Sequence, residues 1–439
     1  MSNEKTYQNT KILQKKAHRL IPGGCHTYAK GDDQYPELSP GFIVRGKGCH
    51  VWDVDGNEFI EYGMGLRSVT LGHAYDPLLK VANDYMKLGN NFTRPAPIEI
   101  ECAEALVDLI DGAEQVKFAK DGSTVVSAAA KLARAYTGRP LVAICGDHPF
   151  FSYNDWFIGT TPMNAGIPEE NKSLTKIFKY NSIESLSELF DEYPNKIACV
   201  LMEAARTDEP LPEYLKQVQA LCKKHGAIFI LDEMITGFRW DLHGAQKVYG
   251  IEPDLSCFGK ALANGFAVSA LAGKREIMDL GGIHHNKERV FLLSTTHGAE
   301  NHSLAVALKT MQIYQQQPVV ETLYKQGDRL RNGIDKIIDE IGVRDYFFLP
   351  GRSCNLVYAT RDREGKPSQP YRALFMQELI KNGVLGPSFV VSYSHTDKDI
   401  DQTINAVGEA LLVYKKALED GVEPYLVGEP LKEVYRKYN

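Results

Sequence analysis

Apolar and polar stretches in the middle of the chain predict strands and helices that follow one another in turn. Residues 199–202 and 227–231 are short, wholly apolar runs, which is the pattern of strands buried on both faces of a parallel sheet. Between them, residues 211–225 carry an apolar side chain every three or four positions and are followed by Gly226, as expected of a helix and its end. Strand, helix and strand in this order predict a βαβ unit and a parallel sheet with helices on both faces.

The two ends of the chain show a different pattern. Residues 50–54 and 58–62 are joined by Asp-Gly-Asn, which is typical of a β-hairpin. Residues 355–358 predict a further strand, and residues 400–414 predict a long helix with one apolar face. Both ends are expected to share one smaller domain. The predicted domains are an N-terminal segment of the small domain (1–62), a large domain (63–306) and a C-terminal part of the small domain (307–439).

Composition narrows the class of protein. Of the 439 residues, 44% are hydrophobic and 24% are charged, and the net charge is −6, so we expect a globular protein without the basic surplus that nucleic-acid binding needs. The apolar runs are too short to cross a bilayer, and the first ten residues lack the apolar core of a secretory signal. A cytoplasmic protein that binds no membrane is therefore expected. The eight cysteines form no C-x-x-C pair, so we expect reduced thiols and no metal site.

Two ionisable residues stand next to predicted buried segments. Asp232 directly follows residues 227–231, at the carboxyl end of a strand, where ligands of open parallel sheets bind. Lys260 lies between the apolar pairs 257–258 and 261–262. Each has an ordinary interpretation, because aspartates often cap helices and lysines mostly lie in solvent. Together they suit a pyridinium cofactor, in which a lysine amine forms an imine and a carboxylate pairs with the protonated ring nitrogen.

A third candidate lies in residues 118–124, where a predicted strand ends, Gly122 and Ser123 form a turn, and an alanine-rich helix begins. The first turn of a helix offers free backbone N–H groups and a favourable dipole to a phosphate. The alternative is plain helix capping by Ser123 or Thr124.

These segments resemble the class III aminotransferases. Residues 232–239, Asp-Glu-Met-Ile-Thr-Gly-Phe-Arg, are similar to the D-E-V-x-T-G-F-R segment of that family, and residues 258–265 resemble its G-K-x-x-G-G-G segment. The most similar subgroup is that of the glutamate-1-semialdehyde 2,1-aminomutases, which residues 22–24, 52–57, 71–73 and 133–139 also resemble.

The resemblance implies a fold and a cofactor. The implied fold is α/β, the fold type I of transferases that depend on pyridoxal 5′-phosphate (PLP): a large domain with a mostly parallel seven-stranded sheet and a smaller α+β domain. Lys260 is implied to form the Schiff base with PLP, and Asp232 to pair with the ring nitrogen. The family also implies a homodimer with shared active sites.

Further cofactor-binding residues follow from the resemblance alone. Gly122 and Ser123 take the place of the family's phosphate-binding Gly-Thr pair. Thr296, or else Thr295, takes the place of a threonine that reaches the phosphate from the partner subunit. The alternative for both threonines is an ordinary loop hydroxyl.

Three more residues correspond to positions around the ring. Phe150 stands where the family has a stacking tyrosine, Met234 would cover the opposite ring face, and Glu203 matches the glutamate of a Glu-Pro pair whose proline is Ala204 here. Phe150 and Met234 have an alternative interpretation as core side chains.

The substrate side departs from the aminomutase pattern. Lys30 stands in place of an arginine that holds a carboxylate, and a lysine lacks the planar two-pronged grip of arginine. Arg67 is a new cation in a segment expected to line the substrate, although an ion pair elsewhere is an equal alternative. We therefore predict a PLP-dependent aminotransferase that acts on a primary amine or amino acid and a carbonyl acceptor. The alternatives are the aminomutase itself, another PLP reaction such as epimerisation or decarboxylation, and a non-catalytic scaffold with this fold.

Overall fold

The computed structural model describes residues 5–438. The strands are β1 (Ile43–Lys47), β2 (His50–Asp53), β3 (Glu58–Glu61), β4 (Gln115–Ala119), β5 (Leu141–Cys145), β6 (Thr175–Phe178), β7 (Ile197–Glu203), β8 (Ile228–Asp232), β9 (Leu255–Phe258), β10 (Ser269–Gly273), β11 (Phe347–Phe348), β12 (Ala359–Thr360) and β13 (Val384–Leu385). The α-helices are α1 (Gln8–Leu20), α2 (Met64–Arg67), α3 (Asp76–Met86), α4 (Pro97–Leu109), α5 (Gly122–Thr137), α6 (Asp155–Ile158), α7 (Glu169–Ser173), α8 (Ile183–Glu192), α9 (Tyr214–His225), α10 (Ala245–Tyr249), α11 (Arg275–Met278), α12 (Asn301–Gln316), α13 (Val319–Ile341), α14 (Gln369–Lys381) and α15 (Asp397–Asp420).

The chain divides into two compact units. The first joins the N-terminal residues up to Tyr75 with Glu321–Arg436, and the second contains Asp76–Val320. The chain passes from one unit to the other after Tyr75 and after Val320, and the domain boundaries placed after residues 62 and 306 stay a prediction.

The second unit is built on a seven-stranded sheet in the order β4-β10-β9-β8-β7-β5-β6. The neighbours from β9 to β6 pair in parallel, whereas β10 runs antiparallel to both β4 and β9. This is the mostly parallel sheet predicted from the family resemblance, and that prediction is confirmed. Strands β7, β8 and β9 lie side by side and end at one edge of the sheet, so the residues that follow them come together there.

Local signals at the helix ends explain how the βαβ unit forms. Helix α9 ends at His225 and is followed by Gly226, whose φ of 64° is left-handed and favours glycine. Strand β8 then begins at Ile228 and ends at Asp232 itself. The sequence predicted this strand at residues 227–231, so its end lies one residue later than expected.

Helix α5 packs against the centre of the sheet through small side chains. Ala129 and Ala133 are fully buried and belong to the same core cluster as Ile144, Leu201 and Ile230 of the strands. Alanines let the helix approach the sheet closely, while Val125, Val126 and Leu132 of the same helix fill the remaining volume. This packing fixes the start of α5 relative to the strand ends.

The first unit holds a four-stranded sheet, β1-β2-β3-β13, and a separate β11-β12 pair. The hairpin predicted around Asp55, Gly56 and Asn57 is confirmed as β2 and β3, which pair antiparallel. The strand predicted at 355–358 is wrong. Leu356 makes only an isolated bridge to Phe389. Both Leu356 and Tyr358 are buried, and the Tyr358 ring packs on that of Phe389 with centroids 5.5 Å apart, so burial here does not require a neighbouring strand.

Two further observations bear on the class of protein. No α-helix within residues 5–438 combines the length and the apolarity that a bilayer crossing requires. All eight cysteines are free thiols, and seven of them are buried.

Candidate active site

The carboxyl ends of β7 and β8 place two acidic side chains side by side. Glu203 and Asp232 are directly opposed in the parallel register of the two strands. Their exposed fractions are 4% and 3%. Two buried carboxyl groups on neighbouring strands repel each other when both are ionised, so this edge of the sheet favours a bound cation.

The pKa of Asp232 reflects this environment. Burial raises the pKa above its usual range, the neighbouring Glu203 raises it further, and Lys260 opposes the shift. One carboxylate oxygen, Oδ1, accepts a hydrogen bond of 2.9 Å from the backbone N–H of Met234, which fixes the orientation of the carboxyl group. A protonated ring nitrogen beside Asp232 would supply the positive charge that this carboxyl group lacks.

Lys260 begins a 3-10 turn immediately after β9 and Gly259. Its φ is 47°, a left-handed conformation that costs about 1–3 kcal/mol in a residue with a side chain. Backbone strain of this kind persists only where the surrounding structure imposes it, and here the residues that follow are buried. The turn thus holds the lysine in one backbone conformation at the edge of the sheet.

Met234 connects the lysine turn with the start of α5. A Cβ atom added to Gly122 would lie 2.9 Å from the Met234 sulfur, and one added to Gly259 would lie 2.7 Å from it. A side chain at either position would therefore force the Met234 side chain to move, because the backbone approaches the thioether closely. The three segments that carry Gly122, Met234 and Lys260 are brought together in space, as the predicted site requires.

The start of α5 can receive a phosphate. Asp121 caps the helix, and its carboxylate accepts hydrogen bonds from the backbone N–H and the hydroxyl of Thr124, each at 2.9 Å. The Asp121 carboxylate is exposed, and its hydrogen bonds to Thr124 hold it in the capping position. The N–H groups of Gly122 and Ser123 lie in the first turn, where a helix offers them no internal partner. Ser123 is buried, and its Oγ accepts a bond of 3.1 Å from the N–H of Tyr153.

His148 is a residue of this region that the sequence-based reasoning missed. It lies just after β5, and its Nδ1 accepts a 3.0 Å hydrogen bond from the N–H of Glu203. Burial lowers its pKa to about 3, so the ring is neutral and carries its proton on Nε2. Within residues 5–438 that Nε2 has no hydrogen-bond partner. The signal was available, because His148 follows a buried apolar run at a strand's carboxyl end, as Asp232 does.

Phe150 lies two residues beyond His148 and is half exposed, at 50%. Its ring makes an edge-to-face contact with Phe157, with centroids 5.8 Å apart. The exposure argues against the alternative interpretation as a core side chain.

Thr295 and Thr296 lie in the segment before α12. Both are exposed and line one cavity of about 610 Å³, together with Asn91, Phe92 and Phe118. The side-chain amide of Asn91 donates a 2.9 Å bond to the carbonyl oxygen of Thr296. An ion pair of 2.9 Å joins Glu300, at the start of α12, to Lys120, which ties this segment to the residues before α5.

The two predicted substrate residues belong to the first unit. Lys30 ends a 3-10 turn and is exposed. Arg67 donates hydrogen bonds from Nε to Asn355 Oδ1 at 3.1 Å and from Nη2 to Ser388 Oγ at 3.5 Å. It ends a left-handed stretch in which Met64, Leu66 and Arg67 have φ values of 42°, 58° and 70°. Consecutive left-handed residues with side chains are strained and are concentrated at functional sites.

Comparison with known proteins identifies the family. The model of the class III aminotransferases matches residues 30–407. The chain belongs to this family. It is 31% identical over 429 residues to a glutamate-1-semialdehyde 2,1-aminomutase of Sulfurihydrogenibium sp., covering 92% of this chain and 98% of the relative. It is also 30% identical over 416 residues to a 3-aminobutyryl-CoA aminotransferase of Cloacimonas acidaminovorans, covering 92% and 97%.

Solved structures of the family share the fold. The PLP internal aldimine form of the Sphingopyxis sp. MTA144 FumI protein superposes with a TM-score of 0.86, at 27% identity and with 96% and 98% of the two chains covered. A glutamate-1-semialdehyde aminomutase of Pseudomonas aeruginosa gives a TM-score of 0.80 at 15% identity, with 92% and 94% covered. The predictions of a class III enzyme, of fold type I and of PLP as the cofactor are confirmed.

Proposed function

We propose that this protein is a PLP-dependent aminotransferase that moves an amino group between a primary amine or amino acid and a carbonyl acceptor. The observation that carries the proposal is the meeting of three segments at one sheet edge. Asp232 ends β8, Lys260 begins the turn after β9, and Met234 packs on the glycines beside both Lys260 and the start of α5.

Each residue of this edge has a role suited to its environment. When bound, PLP supplies the carbonyl carbon that receives the amino group and a ring that withdraws electrons. Lys260 would hold the cofactor through Nζ, and its free amine would move a proton from the substrate carbon and return it. Asp232 holds the proton on the ring nitrogen by its negative charge.

The remaining residues bind and orient the cofactor. The N–H groups of Gly122 and Ser123 hold the phosphate at the start of α5. Phe150 and Met234 would contact the ring of the cofactor, and Glu203 lies opposite Asp232 on the neighbouring strand. The hydroxyl of Thr296, or that of Thr295, reaches the phosphate of a partner subunit in a homodimer. The exposure of both threonines in the single chain supports this arrangement.

The substrate is proposed to carry an anionic or hydroxylated group. Arg67 is the candidate to hold it, because its guanidinium is already oriented by Asn355 and Ser388, and Lys30 is a second, weaker candidate.

The aminomutase reaction is the second candidate function, favoured by the glutamate-1-semialdehyde 2,1-aminomutases among the relatives. A scaffold without activity is disfavoured, since the chain retains both Lys260 and Asp232. A cytoplasmic location is proposed from the free thiols.

The test begins with the purified protein and its visible absorbance. Borohydride reduction followed by peptide mapping should find the cofactor attached at Lys260, and Lys260→Ala should abolish the attachment. Lys247→Ala, which removes an exposed lysine paired with Asp111, is the matched control and should change nothing. A panel of amino donors then follows conversion of the cofactor to its aminated form. A protein that neither holds the cofactor at Lys260 nor reacts with any donor would overturn the proposal.

A further inference from the structure

The first unit contains a cluster of ionisable side chains that the proposed reaction does not use. The thiol of Cys49, the imidazole of His50 and the carboxylate of Asp399 have ligand atoms that all lie within 4.8 Å of one another. His50 begins β2 and Cys49 directly precedes it, while Asp399 lies in the first turn of α15. No other trio of metal-ligand side chains this close occurs within residues 5–438.

We propose that Cys49, His50 and Asp399 bind one divalent metal ion of the zinc class. Thiolate, imidazole and carboxylate are the ligands that Zn²⁺ takes in proteins, at about 2.0–2.3 Å from the metal. Three ligands around a tetrahedral ion then lie about 3–4 Å apart, and His50 Nε2 already lies 3.0 Å from Asp399 Oδ1. A water molecule would take the fourth position.

The surroundings hold these ligands in the orientation that a metal needs. The other ring nitrogen of His50, Nδ1, lies 2.9 Å from Oε1 of Glu58 but makes no hydrogen bond within residues 5–438. A metal bound at Nε2 would leave the ring proton on Nδ1, and Glu58 is near enough to accept it after a small rotation, as carboxylates commonly do at zinc sites. The second oxygen of Asp399 accepts bonds of 2.9 and 2.6 Å from the N–H and hydroxyl of Thr396. This leaves Oδ1 as the oxygen that faces His50.

Binding exchanges protons for the ion without any change of oxidation state. The thiol proton of Cys49 and the proton shared between His50 and Asp399 pass to solvent as the metal–ligand bonds form. Cys49 is 2% exposed, whereas His50 is partly exposed, so the ion enters from the side of the imidazole. Three other ionisable groups, Glu61, Tyr62 and His395, also act electrostatically on this cluster.

The experiment measures metal binding by the PLP-loaded enzyme, independently of its activity. The protein is stripped with a chelator and titrated with Zn²⁺ or Co²⁺, and bound metal is counted after gel filtration. We expect about one ion per chain and, with Co²⁺, the near-ultraviolet charge-transfer absorption of a thiolate ligand. Cys49→Ser should remove this absorption. His50→Gln and Asp399→Asn should weaken binding more than Glu58→Gln, which should raise the Kd about 10–100-fold.

Two control variants separate this site from adventitious binding. Cys102→Ser replaces a buried thiol of α4, and His18→Gln breaks an exposed pair in which His18 lies 2.8 Å from Asp32. Both should bind metal as the unaltered enzyme does. Because Asp399 also caps α15, its variant can lose stability, and Glu58→Gln keeps the test decisive since Glu58 takes no part in that cap.

Two results would overturn the proposal. One is the absence of retained metal in the unaltered enzyme. The other is metal binding that His50→Gln and Glu58→Gln leave unchanged. Either result would mean that Cys49, His50 and Asp399 do not form a metal site.

Discussion

Replacing Asp232 with asparagine tests the central electrostatic element of the proposed site. The amide keeps the size of the side chain and can still accept the N–H of Met234, but it carries no negative charge. A buried charge pair that loses one partner costs about 3–5 kcal/mol. Asp232 is 3% exposed, and Lys260 is the cation that lowers its pKa, so solvent would replace little of the lost attraction. The expected loss in rate is about two to four orders of magnitude.

The assay is a single-turnover reaction with an amine donor, followed by the absorbance of the cofactor. Glu203→Gln is the matched control, because it removes the other buried carboxylate of the same edge. Glu203 raises the pKa of Asp232, so its removal should lower that pKa. Asp232 would then stay ionised to lower pH, and the activity of this control should extend toward acid. We expect its rate near neutrality to change far less than that of Asp232→Asn.

Two results would refute this reasoning. Near-normal turnover by Asp232→Asn, with full cofactor content, would show that another group holds the ring nitrogen. An equal loss of rate in Asp232→Asn and Glu203→Gln would show that catalysis depends on the combined negative charge of the two carboxylates and not on Asp232 in particular. Cofactor content and thermal stability must be measured for each variant, since misfolding would also lower the rate.

Three further predictions concern the cofactor residues. Lys260→Ala should abolish transamination in a donor assay while the fold, followed by circular dichroism, persists; substantial remaining turnover would contradict the assignment. Heterodimers of Lys260→Ala and Thr296→Ala subunits should regain activity by forming one intact site, and a lack of complementation or a monomer by light scattering would count against shared sites. Gly259→Ala should cost about 1–3 kcal/mol of stability, and this cost should be non-additive with Met234→Ala in denaturant unfolding, because the added Cβ meets the Met234 sulfur.

Much of the sheet could be predicted because its strands are buried on both faces. The apolar runs before Glu203 and Asp232 needed no knowledge of their partners to be recognised as strands. The same logic failed at residues 355–358, where Leu356 and Tyr358 alternate inward without a strand beside them. An alternating pattern indicates which side chains are buried, but it does not indicate whether the backbone pairs with a neighbouring strand.

The candidate site could be predicted where a sequence motif indicates both the conformation of the backbone and the identity of the side chain. Asp232 and Lys260 belong to such motifs, and the structure places the segments around them together. His148 lay outside the motifs, and only the structure shows its bond to the N–H of Glu203. The contact between His50 and Asp399 could not be predicted for a different reason: the two are 349 positions apart in the sequence, so no spacing rule for metal ligands applies to them.

The geometry also explains why the cofactor was easier to predict than the substrate. The sulfur of Met234 lies against Gly122 and Gly259, so a larger side chain at either glycine would displace the thioether and disturb the start of α5 and the lysine turn together. A substitution at one of these residues therefore affects the others. Because they depend on one another, recognising a few of them in a sequence is enough to predict the whole cofactor site. Lys30 and Arg67 belong to the other compact unit. The residues at these two positions can therefore change with the substrate while the cofactor-binding residues stay the same. For this reason the sequence predicts the cofactor more readily than the amine substrate.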